Sequence, residues 1–146
     1  KENYVNIIDY GKRIKQAVIN EKNNIKHPFE KDLSFLYGVI FITKSSTVHS
    51  KNVCVFADGE VDRSPTGSGV SGRVAIEYKK NRINTDESIT IESILNSKFD
   101  VKVVSEVSYG NLDAIIPEVT GNAFITGFHT FIIDENDEFK NGFFLK

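Results

Sequence analysis

The segment DRSPTGSGVSGR, Asp62 to Arg73, combines charged, hydroxyl and glycine residues in a pattern that no ordinary core strand or helix requires. It follows an apolar run and leads into a short helical pattern, predicted from Ser71 to Lys80. Successive backbone N–H groups at a helix N-terminus can hold an anion, either a carboxylate or a phosphate. Gly67 and Gly69 allow the backbone to approach such a ligand closely.

The same segment carries a negative charge and further hydroxyl groups. Asp62 stands at its rim, and Ser68 and Ser71 add hydroxyl donors. The spacing is not GxxxxGK[ST], so a nucleotide P-loop is not indicated. Donors for an anion beside a carboxylate suit a zwitterion, such as an amino or imino acid. A tight turn with an N-cap and no ligand explains the same residues, so the spacing alone leaves both interpretations open.

The bulk composition limits the classes of protein to consider. The chain has 146 residues, the size of one domain, with 40% hydrophobic residues and a net charge of -2. This charge balance argues against a nucleic-acid partner, and no apolar run is long enough to predict a membrane span. One cysteine, Cys54, excludes an internal disulfide and fits a cytoplasmic setting. Because the chain starts with Lys1 and contains no Met, we expect a piece of a longer protein.

Hydrophobic periodicity predicts one α+β unit, with two or three helices around a mostly antiparallel sheet. A helix is predicted from Tyr4 to about Glu21. Strands are predicted over Leu36–Thr43, Asn52–Ala57, Ser88–Leu95, Val101–Tyr109, Ala114–Val119 and Asn122–Ile133. The last of these alternates most regularly between apolar and small or polar residues.

Three blocks of the sequence, in order, resemble the C-terminal half of the proline racemase family. They are HPFEKDLSFLYGVIF (27–41), VFADGEVDRSPTGSGVSGRVA (55–75) and VTGNAFITGFHTFIIDENDEFKNGFFLK (119–146), and together the resemblance covers nearly the whole chain. The family has two similar lobes, a fold like that of diaminopimelate epimerase, with the substrate in the cleft between them. The first lobe carries a Cys-Gly-His stretch, which this sequence lacks. The resemblance therefore implies that residues 1–146 form a single C-terminal lobe, without the N-terminal lobe.

Thr66 stands where racemases and epimerases of the family carry their second catalytic cysteine. A thiol, with a pKa of about 8.5, can be tuned to exchange a proton with carbon, whereas a threonine hydroxyl has no comparable acidity. Members with Thr at this position resemble trans-3-hydroxy-L-proline dehydratases. The resemblance implies α-proton removal by the other lobe and loss of the 3-hydroxyl, giving Δ1-pyrroline-2-carboxylate. A proline racemase or 4-hydroxyproline epimerase relative, and a non-catalytic lobe that binds an amino or imino acid carboxylate, are the alternatives.

Individual roles follow from the resemblance. Thr66 is expected to hydrogen-bond the substrate or the departing hydroxyl, and Gly67 and Ser68 to hold the substrate carboxylate. Asp62 matches the residue that receives the ring ammonium, and Phe56 matches an aromatic residue that packs against the pyrrolidine ring. The implied partners are a small imino acid and the missing lobe. No metal or organic cofactor is implied.

Three other features could belong to a site or an interface. Cys54 lies in the apolar run NVCVF, which predicts a buried, inert thiol that is badly placed to act as a second thiol near Thr66. Arg63 is expected to pair with Asp62 and fix the loop. The C-terminal segment Phe139–Lys146 can cross to the first lobe in two-lobed relatives, and Phe143, Phe144 and Leu145 could promote association between copies, including a homodimer.

Overall fold

The computed structural model describes residues 3–21 and 25–144, which form two α-helices and one mixed β-sheet. Helix α1 spans Tyr4–Asn20 and α2 spans Gly67–Lys79, with a short 3-10 helix at Lys31–Leu33. The strands are β1 (Gly38–Thr43), β2 (Ser50–Phe56), β3 (Glu60–Val61), β4 (Ile89–Ser93), β5 (Lys98–Tyr109) and β6 (Leu112–Thr120). In the described ranges, neither helix is both long and apolar enough to cross a membrane.

The sheet runs in the order β1-β2-β4-β5-β6. Strand β2 pairs with two different strands along one of its sides. On one side β2 pairs along its length with β1. On the other side its first residues, 50–52, pair in parallel with β4, and its last residues, 55 and 56, pair with the short strand β3. A parallel pair needs a long crossover connection, and here that connection contains β3, the glycine-rich loop and α2. The glycine-rich loop therefore leaves the sheet at the point on β2 where pairing changes from β4 to β3.

The main core lies between α2 and the middle of the sheet. Val70 and Val74, one helical turn apart on α2, are fully buried. They pack with a cluster of strand and loop side chains: Ile83, Ile89, Ile91, Val101 and Val103. Each such side chain contributes about 1.5–3 kcal/mol when fully buried. This cluster holds α2 against the sheet, and so holds the loop that precedes α2.

A buried ion-pair cluster anchors the second half of α2. The Glu77 side chain is almost fully buried, and its carboxylate lies 2.8 Å from Arg73 Nη2 and 3.3 Å from Arg82 Nη1. Removing one partner of a buried pair leaves an uncompensated charge and costs about 3–5 kcal/mol. Arg73 and Glu77 are four residues apart on α2, so their pairing lies along one face of the helix.

The predicted fold class is confirmed, with corrections to individual elements. The first helix agrees with its prediction, whereas α2 begins at Gly67, earlier than the predicted Ser71. The strand predicted at Asn122–Ile133 is wrong: residues 121–134 form no strand, and Phe128 and Phe131 are 93% and 89% exposed. An alternating pattern becomes a strand only when a neighbouring strand pairs with it, and none in the described part of the chain does.

The C-terminal aromatic residues are exposed, as expected. Phe143 is 63% exposed and Phe144 is 95% exposed. Leu145, which was expected to be exposed with them, lies outside the described residues. An apolar surface of this kind is available for contact with another chain segment or another molecule.

Two glycines test how tightly the helices pack. A Cβ on Gly11, a buried residue of α1, would lie 2.7 Å from the Cβ of Val55 in β2, whereas a Cβ on Gly72, in α2, meets nothing within 4 Å. We expect Gly11→Ala to destabilise the protein by about 1–3 kcal/mol through overpacking. As the matched control, Gly72→Ala should stabilise it by about 0.5–1 kcal/mol. Urea unfolding of the two variants measures both effects, and a neutral Gly11→Ala would contradict the described packing of α1.

Candidate active site

Thr66 is the N-cap residue of α2, but it does not cap the helix. A threonine at this position normally accepts a hydrogen bond from a backbone N–H in the first turn. Here no such side-chain bond forms, and the Thr66 hydroxyl instead donates to Asp62 Oδ2 at 2.8 Å. The first backbone bond of the helix runs from Val70 N–H to the Thr66 carbonyl at 2.8 Å. The N–H groups of Gly67, Ser68 and Gly69 are therefore left facing away from the helix, as an anion site requires.

The Thr66 backbone adopts an unusual conformation. Its φ of 70° lies in the left-handed region, which a β-branched residue rarely occupies and which costs about 1–3 kcal/mol. Two short-range bonds hold it there: the Thr66 N–H donates to Ser64 Oγ at 3.0 Å, and the Ser64 N–H donates to Asp62 Oδ1 at 2.8 Å. Backbone strain that the surrounding bonds maintain is typical of functional sites.

Two long-range hydrogen bonds attach the loop to the sheet, one at β2 and one beside β5. The Asp62 N–H donates to the Cys54 carbonyl at 3.1 Å, and Ser97 Oγ donates to the Arg63 carbonyl at 2.9 Å. The expected ion pair between Arg63 and Asp62 is wrong: no such pair occurs in the described structure, and the Arg63 residue is exposed. The Asp62 carboxylate instead accepts hydrogen bonds from the Thr66 hydroxyl and the Ser64 N–H.

Cys54 lies directly beneath the loop. Its burial is confirmed. The Thr66 hydroxyl and the Asp62 carboxylate are near enough to affect the pKa of the thiol, but the burial of Cys54 keeps it badly placed to act as a second thiol at the site. Burial is the main cause that raises the pKa of the Cys54 thiol; Asp62 raises it further, and the Thr66 hydroxyl partly offsets this. The thiol is therefore protonated at neutral pH, and sequence reasoning missed its position because the fold-back of the loop onto β2 leaves no local pattern.

Four of the five predicted site residues lie together in the loop and the first turn of α2. Asp62 and Thr66 are hydrogen-bonded to each other, and Gly67 and Ser68 follow at the exposed start of α2. Nothing lies within 4 Å of where a Cβ of Gly67 would be, so a ligand can approach the backbone there. Phe56 ends the strand that contains Cys54, and its ring packs against Tyr37 at a centroid distance of 5.5 Å.

The donors and the charge of this arrangement suit the binding of a zwitterion. The N–H groups at the start of α2 can receive a carboxylate, and Asp62 can receive a cation. Within the described ranges, no cluster of three His, Cys, Asp or Glu side chains is arranged to hold a metal ion. A separate cavity of about 900 Å³ lies between α2 and the β5–β6 hairpin, lined by residues such as Tyr78 and Glu106, and none of the predicted site residues lines it.

The chain belongs to the proline racemase family, whose model matches residues 1–144. It is 54% identical over 142 residues to a protein of Colwellia psychrerythraea named trans-3-hydroxy-L-proline dehydratase; the match covers 96% of this chain and 40% of that protein. A Bacillus thuringiensis protein of the same name is 43% identical over 138 residues, which are 93% of this chain and 41% of that protein. The chain thus spans about two fifths of the length of these relatives.

A solved structure has the same fold. It is a hydroxyproline epimerase from Agrobacterium vitis with bound trans-4-hydroxy-L-proline, 28% identical to this chain, with a TM-score of 0.83. The superposition covers 99% of this chain and 42% of the epimerase chain. The likeness extends to the full described chain, and the epimerase again contains much more sequence than this chain does.

The environment of Cys54 predicts its reactivity. In the native protein we expect the thiol to react with iodoacetamide at pH 8 at least ~100-fold more slowly than after unfolding in guanidinium, since it is buried and protonated. Thr66→Cys is the matched control, because it adds a half-exposed thiol that iodoacetamide can reach in the folded protein. Fast native alkylation of the unsubstituted protein would contradict the described burial of Cys54.

Proposed function

We propose that the chain is the C-terminal lobe of a two-lobed, cofactor-independent enzyme that converts trans-3-hydroxy-L-proline to Δ1-pyrroline-2-carboxylate. The observation that carries this proposal is Thr66. A hydroxyl, fixed to Asp62, occupies the start of α2 where a proton-transferring thiol would otherwise stand. Relatives named as this dehydratase, at 54% and 43% identity, support the same conclusion.

The binding step uses the charges of the imino acid. The N–H groups of Gly67 and Ser68 receive its carboxylate, with the Ser68 hydroxyl as a further donor. Asp62 receives the ring ammonium, and Phe56 packs against the pyrrolidine ring. When the α-proton leaves, negative charge spreads from the α-carbon into the carboxylate. Donors already aimed at the carboxylate therefore stabilise the transition state more than the ground state.

The chemical step is an elimination with one base. A thiolate of the N-terminal lobe takes the α-proton, the electron pair of that C–H bond forms the Cα–C3 double bond, and the 3-hydroxyl leaves as water. The resulting enamine tautomerises to the imine product. Thr66 does not act as the base, because a hydroxyl lacks the acidity of a thiol. Cys54 does not replace it, since the buried, protonated thiol lies under the loop and not at its open side.

A second candidate function is epimerisation or racemisation of a proline derivative. The observation that favours it is the structural likeness to the hydroxyproline epimerase, with a TM-score of 0.83. Those reactions need a second acid on the opposite side of the α-carbon, and Thr66 is a poor one. A lobe that only binds an imino acid carboxylate is the third candidate. For each candidate we infer a cytoplasmic enzyme or binding protein, consistent with the one cysteine of this chain, which is free.

The full-length protein distinguishes these candidates. Incubated in D2O with trans-3-hydroxy-L-proline, it is expected to form the pyrroline product, and to leave L-proline and trans-4-hydroxy-L-proline without inversion. Thr66→Cys should introduce deuterium at the α-carbon of these two compounds with inversion, because it adds the missing acid. The 146-residue chain alone should be inactive, because it lacks the proposed base. Inversion by the unsubstituted protein would contradict the one-base account, and no turnover of any of the three would favour the binding lobe.

A further inference from the structure

Phe56 and Asp62 stand at the two ends of one short hairpin. Strand β2 ends at Phe56, the chain turns over residues 57–59, and β3 runs back along β2 to reach Asp62. The Gly59 N–H closes the turn by donating to the Phe56 carbonyl at 2.9 Å, and the Asp62 N–H donates to the Cys54 carbonyl at 3.1 Å. The position of this turn therefore sets the position of both side chains.

The turn contains a strained residue. Ala57 has a φ of 46°, in the left-handed region that residues other than glycine and asparagine rarely occupy. Its N–H donates to the Tyr37 carbonyl at 3.2 Å, which attaches the turn to the segment before β1. Strain of this kind persists only where surrounding contacts maintain it, so the other contacts of the turn show what holds the hairpin in place.

Helix α1 supplies those contacts. Lys15 is half-buried, and its Nζ donates to the Ala57 carbonyl at 2.7 Å, across 42 residues of sequence. A hydrogen bond from a charged donor is shorter and stronger than a neutral one. A Cβ on Gly59 would lie 3.1 Å from Lys12 Cδ and 3.2 Å from Ile8 Cγ2, so the helix also lies close against the end of the turn.

Helix α1 and the glycine-rich loop lie on opposite faces of β2. Val55 faces α1, because its Cβ lies 2.7 Å from where a Cβ of Gly11 would be. Cys54 faces the loop, where Thr66 and Asp62 affect its thiol. Successive residues of a strand point to opposite faces. Lys15 therefore reaches the turn from the face opposite the loop, and acts through the hairpin and not by contact with a ligand.

We propose that Lys15 is a positioning residue for the substrate site. Its ammonium group holds the Ala57 carbonyl, which keeps the turn in its strained conformation and so places Phe56 and Asp62 for the imino acid. This inference rests on the proposed function, because it takes those two side chains as the contacts of the substrate ring. It adds a residue of α1, on the far face of the sheet, to the residues that determine how well the substrate binds.

A positioning role and a purely structural role affect different kinetic constants. Phe56 and Asp62 are proposed to hold the ring before the reaction starts, so a displaced hairpin weakens the binding of the substrate and of the transition state alike. Such a change raises KM and leaves kcat nearly constant. A loss of stability alone lowers the fraction of folded enzyme, which reduces the apparent kcat and leaves KM unchanged.

The test is Lys15→Met in the full-length protein, which removes the ammonium group and keeps an unbranched apolar side chain on α1. We expect KM for trans-3-hydroxy-L-proline to rise by about 10- to 100-fold, with kcat within ~3-fold of the unsubstituted value. The Kd of pyrrole-2-carboxylate, measured by calorimetry, should rise by a similar factor. Lys15→Arg keeps a cationic donor and should recover most of the affinity. Lys15→Gln keeps a neutral donor and should lie between the two, and it replaces Lys15→Met if that variant does not fold.

Lys12→Met is the matched control. It makes the same change one turn away on α1, and in the described structure the Lys12 ammonium group makes no hydrogen bond to the turn, so KM should stay within ~2-fold. An unchanged KM in both Lys15→Met and Lys15→Gln, or an equal rise in Lys12→Met, would overturn the positioning role and leave the dehydratase proposal standing. If the unsubstituted protein neither formed the pyrroline nor bound pyrrole-2-carboxylate, the proposed function itself would fail.

Discussion

The hydrogen bond from the Thr66 hydroxyl to Asp62, at 2.8 Å, is the interaction on which the rest of the site depends. It directs the threonine side chain away from the N–H groups that it would otherwise cap, and those groups become available to a carboxylate. It also joins the one acidic side chain of the loop to its central hydroxyl. A single bond thus leaves donors that suit an anion on one side and an acceptor that suits a cation on the other, as our proposal of a zwitterionic imino acid requires.

The strand pairing of the sheet positions the loop in which this bond forms. Because β2 pairs with β4 at its start and with β3 at its end, the chain must leave the sheet between them and return through α2. The buried valines of α2 and the Glu77 ion pairs fix the helix over the sheet, so the position of its first turn follows from the core. Within this framework, the hydrogen bonds among Asp62, Ser64 and Thr66 hold the Thr66 backbone in the left-handed region.

Much of this could be predicted from the sequence, and the errors have physical causes. The motif around Thr66 predicted the family and the fold class, since its residue types have no role in an ordinary core. The start of α2 at Gly67 was missed because three glycines lower local helix propensity, whereas tertiary packing decides the outcome. The place of Cys54 beneath the loop was missed because it depends on long-range closure. The 122–133 strand was overpredicted because the alternation of apolar with small or polar residues shows that a strand would have one apolar face. It does not show whether another strand is available to pair with it.

The central claim is that the uncapped start of α2 binds the carboxylate of an imino acid beside the bonded Thr66 and Asp62. A crystal structure of the full-length protein with pyrrole-2-carboxylate, a planar analogue of the deprotonated substrate, tests it most directly. The account predicts the carboxylate within hydrogen-bonding distance of the Gly67 and Ser68 N–H groups, and the ring nitrogen facing Asp62. A threonine hydroxyl that caps α2 in the complex, with the carboxylate bound elsewhere, would contradict it.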